Sequence, residues 1–313
     1  MLKPKVSIIG AGNVGIRYAY ALMLSRLARS IVILDLDKQR AEGEVLDLAS
    51  GMPYVSPVEI KAGDYSDLKG SDLVVITAGR KQQPNQTRLA LTQANAQIFK
   101  TIIPQIMRYA KEAIWLVVSN PVDILSYVAY KISGKPWQQV IGSGTVLDSA
   151  RFRFLLSRHC NIDARNVHAY ILGEHGDTEF PVWSTAMIGN VLFKDYCPVC
   201  HNCNQQEETG RIFEEARSFA YKIIERKGET SYGIGLALVR ISEAILKDEN
   251  SILPVSCLVQ GYYGINDVYM SLPAVVNKNG VREILPIKLN NQEAAFLKQS
   301  AQTLKSVIKD IDL

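Results

Sequence analysis

The sequence predicts an α/β fold in which a doubly wound parallel sheet is followed by a mixed α+β region, and three observations carry that prediction. Short apolar runs alternate with helical patterns through the first half of the chain. A glycine-rich turn, Gly10-Ala11-Gly12-Asn13-Val14-Gly15, joins the first apolar run to the first helical segment, and an acidic residue, Asp35, ends the second run. Strands separated by helices imply a parallel sheet with both faces covered.

The elements follow in order. Lys5-Val6-Ser7-Ile8-Ile9 reads as a strand, the pattern through Tyr18, Leu22 and Leu24 as a helix, and Ile31-Val32-Ile33-Leu34 as the next strand. Gly10 permits the turn, Gly12 lets backbone N–H groups approach a pyrophosphate at the helix N-terminus, and Gly15 lets the helix pack closely on the sheet. Asp35, about 20 residues beyond the last glycine, is where a carboxylate accepts hydrogen bonds from an adenosine ribose. A glycine turn needed only for packing leaves Asp35 unexplained. Residues 1–144 are therefore expected to form a Rossmann domain that binds a dinucleotide. A carboxylate at Asp35 repels a 2′-phosphate and favours NAD over NADP, although Lys38 and Arg40 stand close enough to soften that preference.

The alternation continues with a helix at 39–49, a strand at 73–77, a helix from Arg88, a strand at 114–118, a helix from Val122 and a short run at 140–142. No linker or low-complexity tract interrupts the chain, so the boundary near Gly144 is placed where the alternation ends. Residues 145–313, the expected substrate domain, read as a helix from Val146, a strand at 167–172, two helices across 207–247, strands near 255–259 and 268–276, a turn at 277–280 and a closing helix from Asn291.

Composition narrows the function classes. A net charge of +4 without a basic run or aromatic-basic interleaving argues against nucleic acid. No apolar run approaches the roughly 20 residues that a membrane helix needs. Five cysteines, an odd number, do not make a disulfide framework. With no apolar signal segment after Met1, these features point to a cytoplasmic protein acting on a small molecule.

Three segments could carry chemistry. In Leu172-Gly173-Glu174-His175-Gly176-Asp177 a glycine on each side of Glu174-His175 predicts a tight bend at a strand end, with little steric cover over the imidazole. A lone histidine is ordinarily a satisfied structural residue, so its role depends on partners. Asp148 and Arg151 lie three residues apart, on one face of the helix from Val146. They read either as a local salt bridge or as an orienter for His175 beside an anchor for an acidic substrate. The polar stretch 79–88 reads as a solvated loop or as a mobile one at the C-terminal edge of the sheet, where ligands bind in open α/β folds.

Taken together, the Gly10 to Gly15 fingerprint with Asp35, Ala78-Gly79 with Gln82 and Arg88, Ser119-Asn120-Pro121-Val122-Asp123-Ile124-Leu125, Leu147-Asp148-Ser149-Ala150-Arg151, Gly173-Glu174-His175-Gly176-Asp177 and Lys227-Gly228-Glu229-Thr230 resemble the L-lactate dehydrogenase branch, bacterial type, of the lactate/malate dehydrogenase family. The resemblance covers nearly the whole chain. It implies that His175 is the acid and base, that Asp148 holds its ring, and that Arg88 stabilises the developing alkoxide. Arg151 would bind the carboxylate of pyruvate or L-lactate, Asn120 would lie near the substrate oxygen, and Thr230 would line the pocket. NAD would be held by Gly10, Gly12, Asn13, Val14, Gly15 and Asp35 with Thr77, Ala78, Gly79, Ser119 and Asn120. Malate dehydrogenases place Arg at the position of Gln82; a neutral Gln leaves a second substrate carboxylate uncompensated, which favours pyruvate over oxaloacetate. Lys81 beside it is a flexible cation that could partly serve a second acid group. Arg153 and His168 match positions that bind fructose 1,6-bisphosphate in many bacterial members, and the family implies a homotetramer.

Some residues depart from the family's pattern. Cys197-Pro198-Val199-Cys200-His201-Asn202-Cys203 has zinc-like spacing in a single cluster, whereas tetrahedral sites usually draw on two separated pairs; free thiols are the expectation and no metal is assigned. Asn85 and Glu229 stand where the family usually has other residues, and His159 reads as a favourable charge near a helix end. The open alternatives are a malate or other 2-hydroxy-acid dehydrogenase, separable by the substrate ratio, and a non-catalytic NADH-binding regulator, for which loss of His175, Asp148 or Arg151 would be the sign.

Overall fold

A computed structural model of the chain describes residues 4–80, 88–196 and 205–311. Its first half runs β1 (Lys5–Ile9), α1 (Asn13–Ser25), β2 (Ser30–Leu34), α2 (Lys38–Ser50), β3 (Glu59–Ala62), β4 (Leu73–Ile76), α3 (Arg88–Ala110), β5 (Ile114–Val117), α4 (Val122–Ser133) and β6 (Val140–Gly142). These strands are parallel in the order β3-β2-β1-β4-β5-β6. The order reverses between β1 and β4, and the crevice at such a switch point is where α/β sheets bind ligands. Every residue of β2, β4 and β5 is buried, as expected of strands covered on both faces. The alternation pattern passed over β3, because Glu59-Ile60-Lys61-Ala62 buries only Ile60; an edge strand lacks the continuous apolar signature of the central ones.

The second half runs α5 (Val146–Cys160), β7 (Val167–His168), β8 (Ile171–Leu172), β9 (Phe180–Pro181), β10 (Met187–Ile188), β11 (Val191–Leu192), α6 (Phe193–Tyr196), α7 (Gln205–Lys227), α8 (Tyr232–Leu246), β12 (Ser251–Tyr262), β13 (Ile265–Asn277), β14 (Gly280–Ile284) and α9 (Asn291–Lys309). The main sheet does not stop at β6. Ser256 of β12 pairs antiparallel with Gly142 of β6, and β13 and β14 follow, giving nine strands among the described residues. Apolar patterning predicts the β12 and β13 strands but not the sheet they join, since pairing partners are a long-range property.

The single strand expected at 167–172 is two short ones. Val167 and His168 pair with β10, while Ile171 and Leu172 pair with β9. Ala169 and Tyr170 pass between the two small sheets, and the Tyr170 carbonyl accepts from the Val182 amide, one step beyond the β8–β9 pairs. The turn at 277–280 forms as expected. Gly280 there has φ +94°, and a Cβ on it would come within 1.9 Å of the Gln138 carbonyl oxygen.

The two halves are welded along α1 and α8. A Cβ on Gly235 of α8 would lie 3.0 Å from the Arg17 carbonyl oxygen, so the helix backbones approach closely. The Tyr18 hydroxyl meets Ser242 Oγ at 2.7 Å inside this contact. Full burial of an apolar side chain such as Leu22 or Leu238 in that seam contributes roughly 1.5–3 kcal/mol.

Candidate active site

The glycine turn at the C-terminal end of β1 has the geometry its spacing predicts. Gly10 takes φ +111°, and a Cβ on Gly15 would sit 2.0 Å from the Gly10 carbonyl oxygen, so α1 reaches the sheet only because position 15 has no side chain. A Cβ on Gly12, by contrast, would meet nothing within 4 Å: that position faces open space outside the sheet. α1 has no side-chain cap, leaving its first-turn amides, including those of Asn13 and Val14, as donors at the positive end of the helix. Asp35 is braced beside them, its Oδ2 accepting from the Ala11 amide at 2.6 Å and its Oδ1 from the Asp37 amide at 2.9 Å. Open space, unpaired donors and a fixed carboxylate suit a dinucleotide.

The neighbouring strand ends are fastened together. Thr77 Oγ1 donates to the Gly10 carbonyl at 2.9 Å, and Ser119 Oγ donates to the Ala78 carbonyl at 2.6 Å. Asn95, 1% exposed on α3, accepts from the Arg80 amide at 2.7 Å and donates to the Asn120 carbonyl at 2.8 Å. Asn95 thus pins the segments after β4 and β5, a role that sequence reasoning missed. The available signal was a polar amide on the buried stripe of α3.

Three distant elements build the bend that carries His175. Gly173 has φ +97° and exchanges two backbone hydrogen bonds with Ser271 of β13, at 3.1 and 2.8 Å. The Glu174 amide donates to Ser300 Oγ of α9 at 2.6 Å, and the His175 amide donates to Asp123 Oδ2 of α4 at 2.7 Å. Gly176 does not adopt positive φ, so of the two flanking glycines only Gly173 is required by backbone conformation. The imidazole meets α5, where His175 Nδ1 lies 2.6 Å from Asp148 Oδ2. The other oxygen of the same carboxylate accepts from Arg151 Nη1 at 2.9 Å. Local salt bridge and orienting contact therefore coexist, because one buried carboxylate serves both partners.

Electrostatics follow from burial and charge. Burial alone disfavours the imidazolium, but the Asp148 carboxylate outweighs it and carries His175 up to about 9. Burial likewise opposes ionisation of Asp148, yet His175 and Arg151 hold it below the ordinary carboxylate range. Asp123 is pushed up to about 6 by burial, against hydrogen bonds from Ser256 and the His175 amide. His175 is thus a proton donor and acceptor whose orienting carboxylate also holds a guanidinium, an arrangement suited to moving a proton to and from an oxygen of a carboxylate-bearing substrate.

Residues 4–142 match the lactate/malate dehydrogenase NAD binding domain, and residues 145–312 match the lactate/malate dehydrogenase alpha/beta C-terminal domain. The chain belongs to the lactate/malate dehydrogenase family. Residues 4–142 are accordingly its NAD-binding part. Within the family the chain is 52% identical to the L-lactate dehydrogenase of Acetivibrio thermocellus, over 99% of this chain and 98% of that one. Among solved structures, the minor L-lactate dehydrogenase of Enterococcus mundtii superposes with a TM-score of 0.96 at 40% identity, covering 100% of both chains. A lactate dehydrogenase from a Medee basin deep-sea metagenome library superposes at 0.94 with 47% identity over 99% of each chain.

Against the family's pattern, the site brings His175, Asp148 and Arg151 together, with Thr77, Ala78, Ser119 and Asn120 at the neighbouring strand ends. Gln82, Asn85 and the rest of 81–87, the Arg88 side chain, and the Cys197, Cys200, His201 and Cys203 cluster lie outside the described residues. Thr230 is half-buried between α7 and α8. Beside it Glu229 accepts from Ser231 Oγ at 3.0 Å, while its Oε2 is buried without a partner among the described residues. Arg153 does not join the His175 group; its Nη2 donates to the Ala164 carbonyl at 3.2 Å. His168 is exposed on β7, and His159 sits in the last turn of α5 facing Glu208 at 4.0 Å. Asp123 and Glu179 are the acidic side chains around His175 that sequence reasoning did not assign. A carboxylate inside the apolar stripe of α4 was the signal for Asp123; Glu179 had none.

Proposed function

We propose that the chain is an NAD-dependent L-lactate dehydrogenase catalysing the reversible reduction of pyruvate to L-lactate. The observation that carries this reading is the shared Asp148 carboxylate, which fixes His175 through one oxygen and Arg151 through the other. The names of the relatives support the same branch of the family.

Gly10, Gly12, Asn13, Val14 and Gly15 would hold the pyrophosphate, Asp35 the ribose, and Thr77, Ala78, Gly79, Ser119 and Asn120 the nicotinamide half. When bound, NADH supplies the hydride. Arg151 binds the pyruvate carboxylate, and Arg88 stabilises charge developing on the ketone oxygen while water is excluded. His175, protonated at neutral pH, donates its proton to that oxygen from Nε2 while Nδ1–H stays on Asp148. In lactate oxidation the same nitrogen takes the proton back. Asn120 hydrogen-bonds near the substrate oxygen and Thr230 lines the pocket.

Gln82 supports pyruvate over oxaloacetate. NADH oxidation by the purified protein is expected to be faster in kcat/KM with pyruvate, and Gln82→Arg to move the ratio toward oxaloacetate by about 2 kcal/mol or more, roughly 30-fold, for one new charge-assisted pair. A ratio that does not move overturns the assignment of Gln82; oxaloacetate preferred by the wild type overturns the choice of branch.

Arg153 and His168 form the second part of the proposal, a site for fructose 1,6-bisphosphate in a homotetramer. Its support is a buried Arg153 Nε with no acceptor among the described residues, and an exposed imidazole on β7. Adding the bisphosphate at neutral pH is expected to lower the apparent KM for pyruvate, and light scattering on the same samples to return the mass of four chains. A saturation curve that stays in place removes the regulatory site. The division of labour at Gly144, with 1–144 holding NAD and 145–313 the substrate, is part of the same reading. So is a cytoplasmic role in fermentative glycolysis, checked by recovery of the activity in the soluble fraction of its host; no helix among the described residues is long and apolar enough to cross a membrane.

A further inference from the structure

The pair that fixes His175 has a third member that neither the family pattern nor the mechanism above uses. Glu179 follows the catalytic bend, directly before β9, and its amide donates to the Gly176 carbonyl at 3.2 Å. A carboxyl oxygen of Glu179, an oxygen of Asp148 and a ring nitrogen of His175 all lie within 4.8 Å of one another. Unlike Asp148, the Glu179 carboxyl has no hydrogen bond or ion pair of its own among the described residues, so its charge meets cations only across a gap. The charged groups around it are Asp148 and Arg151 from α5, His175 from its own bend and Arg217 from α7; Asp123 from α4 acts on His175 and accepts from its backbone amide.

We propose that Glu179 is a positioning residue for the proton transfer, a carboxyl group placed beside the Asp148–His175 pair to keep the transferable proton on the imidazole. This rests on the reading of His175 as the acid and base. Burial first, and the Asp148 charge second, push Glu179 up to about 8, while His175, Arg151 and Arg217 pull the other way. Near neutrality Glu179 therefore holds its proton, leaving Asp148 as the one charged carboxylate in contact with the imidazole. Once ionised, Glu179 places a negative charge a few ångströms from the ring, which favours imidazolium over imidazole. The acid form of His175 is thereby kept to a higher pH than Asp148 alone would hold it. The two protons come off as a coupled set, not as two independent groups.

The test is an NMR titration of histidine Cε1–H in the enzyme saturated with NADH and free of pyruvate. The chain has four histidines, and the His175 resonance is the one lost in His175→Asn. In Glu179→Gln the His175 midpoint is expected to fall by about one pH unit or more, the size of a unit charge at this distance under partial solvent screening. The wild-type curve is expected to be broader than a single-proton titration and the Glu179→Gln curve to sharpen to one, so the wild type alone is informative if the variant folds poorly. A His175 midpoint that stays put in the variant, or a wild-type curve of single-proton width, overturns the role of Glu179. Neither readout involves substrate turnover, so failure of the pyruvate reading would show in the NADH assay and not here.

Discussion

Replacing His175 with asparagine is expected to lower kcat for pyruvate reduction by about 10²–10⁴-fold, the usual contribution of a positioned proton donor, while NADH still binds. Neither of the groups bound to it directly can take over: Asp148 is held ionised by its neighbours, and Arg151 does not release a proton at accessible pH. The pH dependence has a definite sign. Reduction requires the imidazolium, whose pKa is raised to about 9, so the acid is present through neutrality and is lost as the pH rises through that value. Lactate oxidation requires the neutral ring and has the opposite dependence. Across pH 6 to 10, stopped-flow NADH oxidation with pyruvate checks the first and NADH formation from NAD and L-lactate the second; a variant that retains wild-type kcat would place the proton donor elsewhere.

The second large effect is expected at Arg151. Arg151→Lys keeps the positive charge beside Asp148 but replaces a planar fork with a point charge. Losing one of two charge-assisted hydrogen bonds to the substrate carboxylate, together with its geometry, costs about 3 kcal/mol, roughly 10²-fold in kcat/KM for pyruvate. Since Asp148 keeps a cationic neighbour, the His175 titration should move little, which separates substrate binding from proton transfer. An unchanged kcat/KM would mean that Arg151 serves Asp148 alone and that another group anchors the carboxylate.

Much of the site was legible because its signals are local. The glycine fingerprint, Asp35 at a strand end, and Asp148 three residues before Arg151 are patterns of adjacent residues, and each appears where its spacing puts it. The strand at 167–172 was legible as apolar and extended but not as two strands, because its halves differ only in their partners. Asn95 and Asp123 stood in the sequence as polar residues inside apolar stripes, a signal for burial that says nothing of what they hold.

By itself, then, the sequence determined the succession of strands and helices, the dinucleotide turn and the identity of the groups able to donate a proton or bind a carboxylate. These follow from periodicity, glycine stereochemistry and functional-group chemistry, which act within a few residues. Only the tertiary structure decided that β12 to β14 extend the parallel sheet, that Ser271, Ser300 and Asp123 clamp the bend at His175, and that Glu179 stands against Asp148. Those contacts join residues tens to hundreds of positions apart. Their energies depend on burial and on charges brought to within a few ångströms, quantities that exist only once the chain has packed.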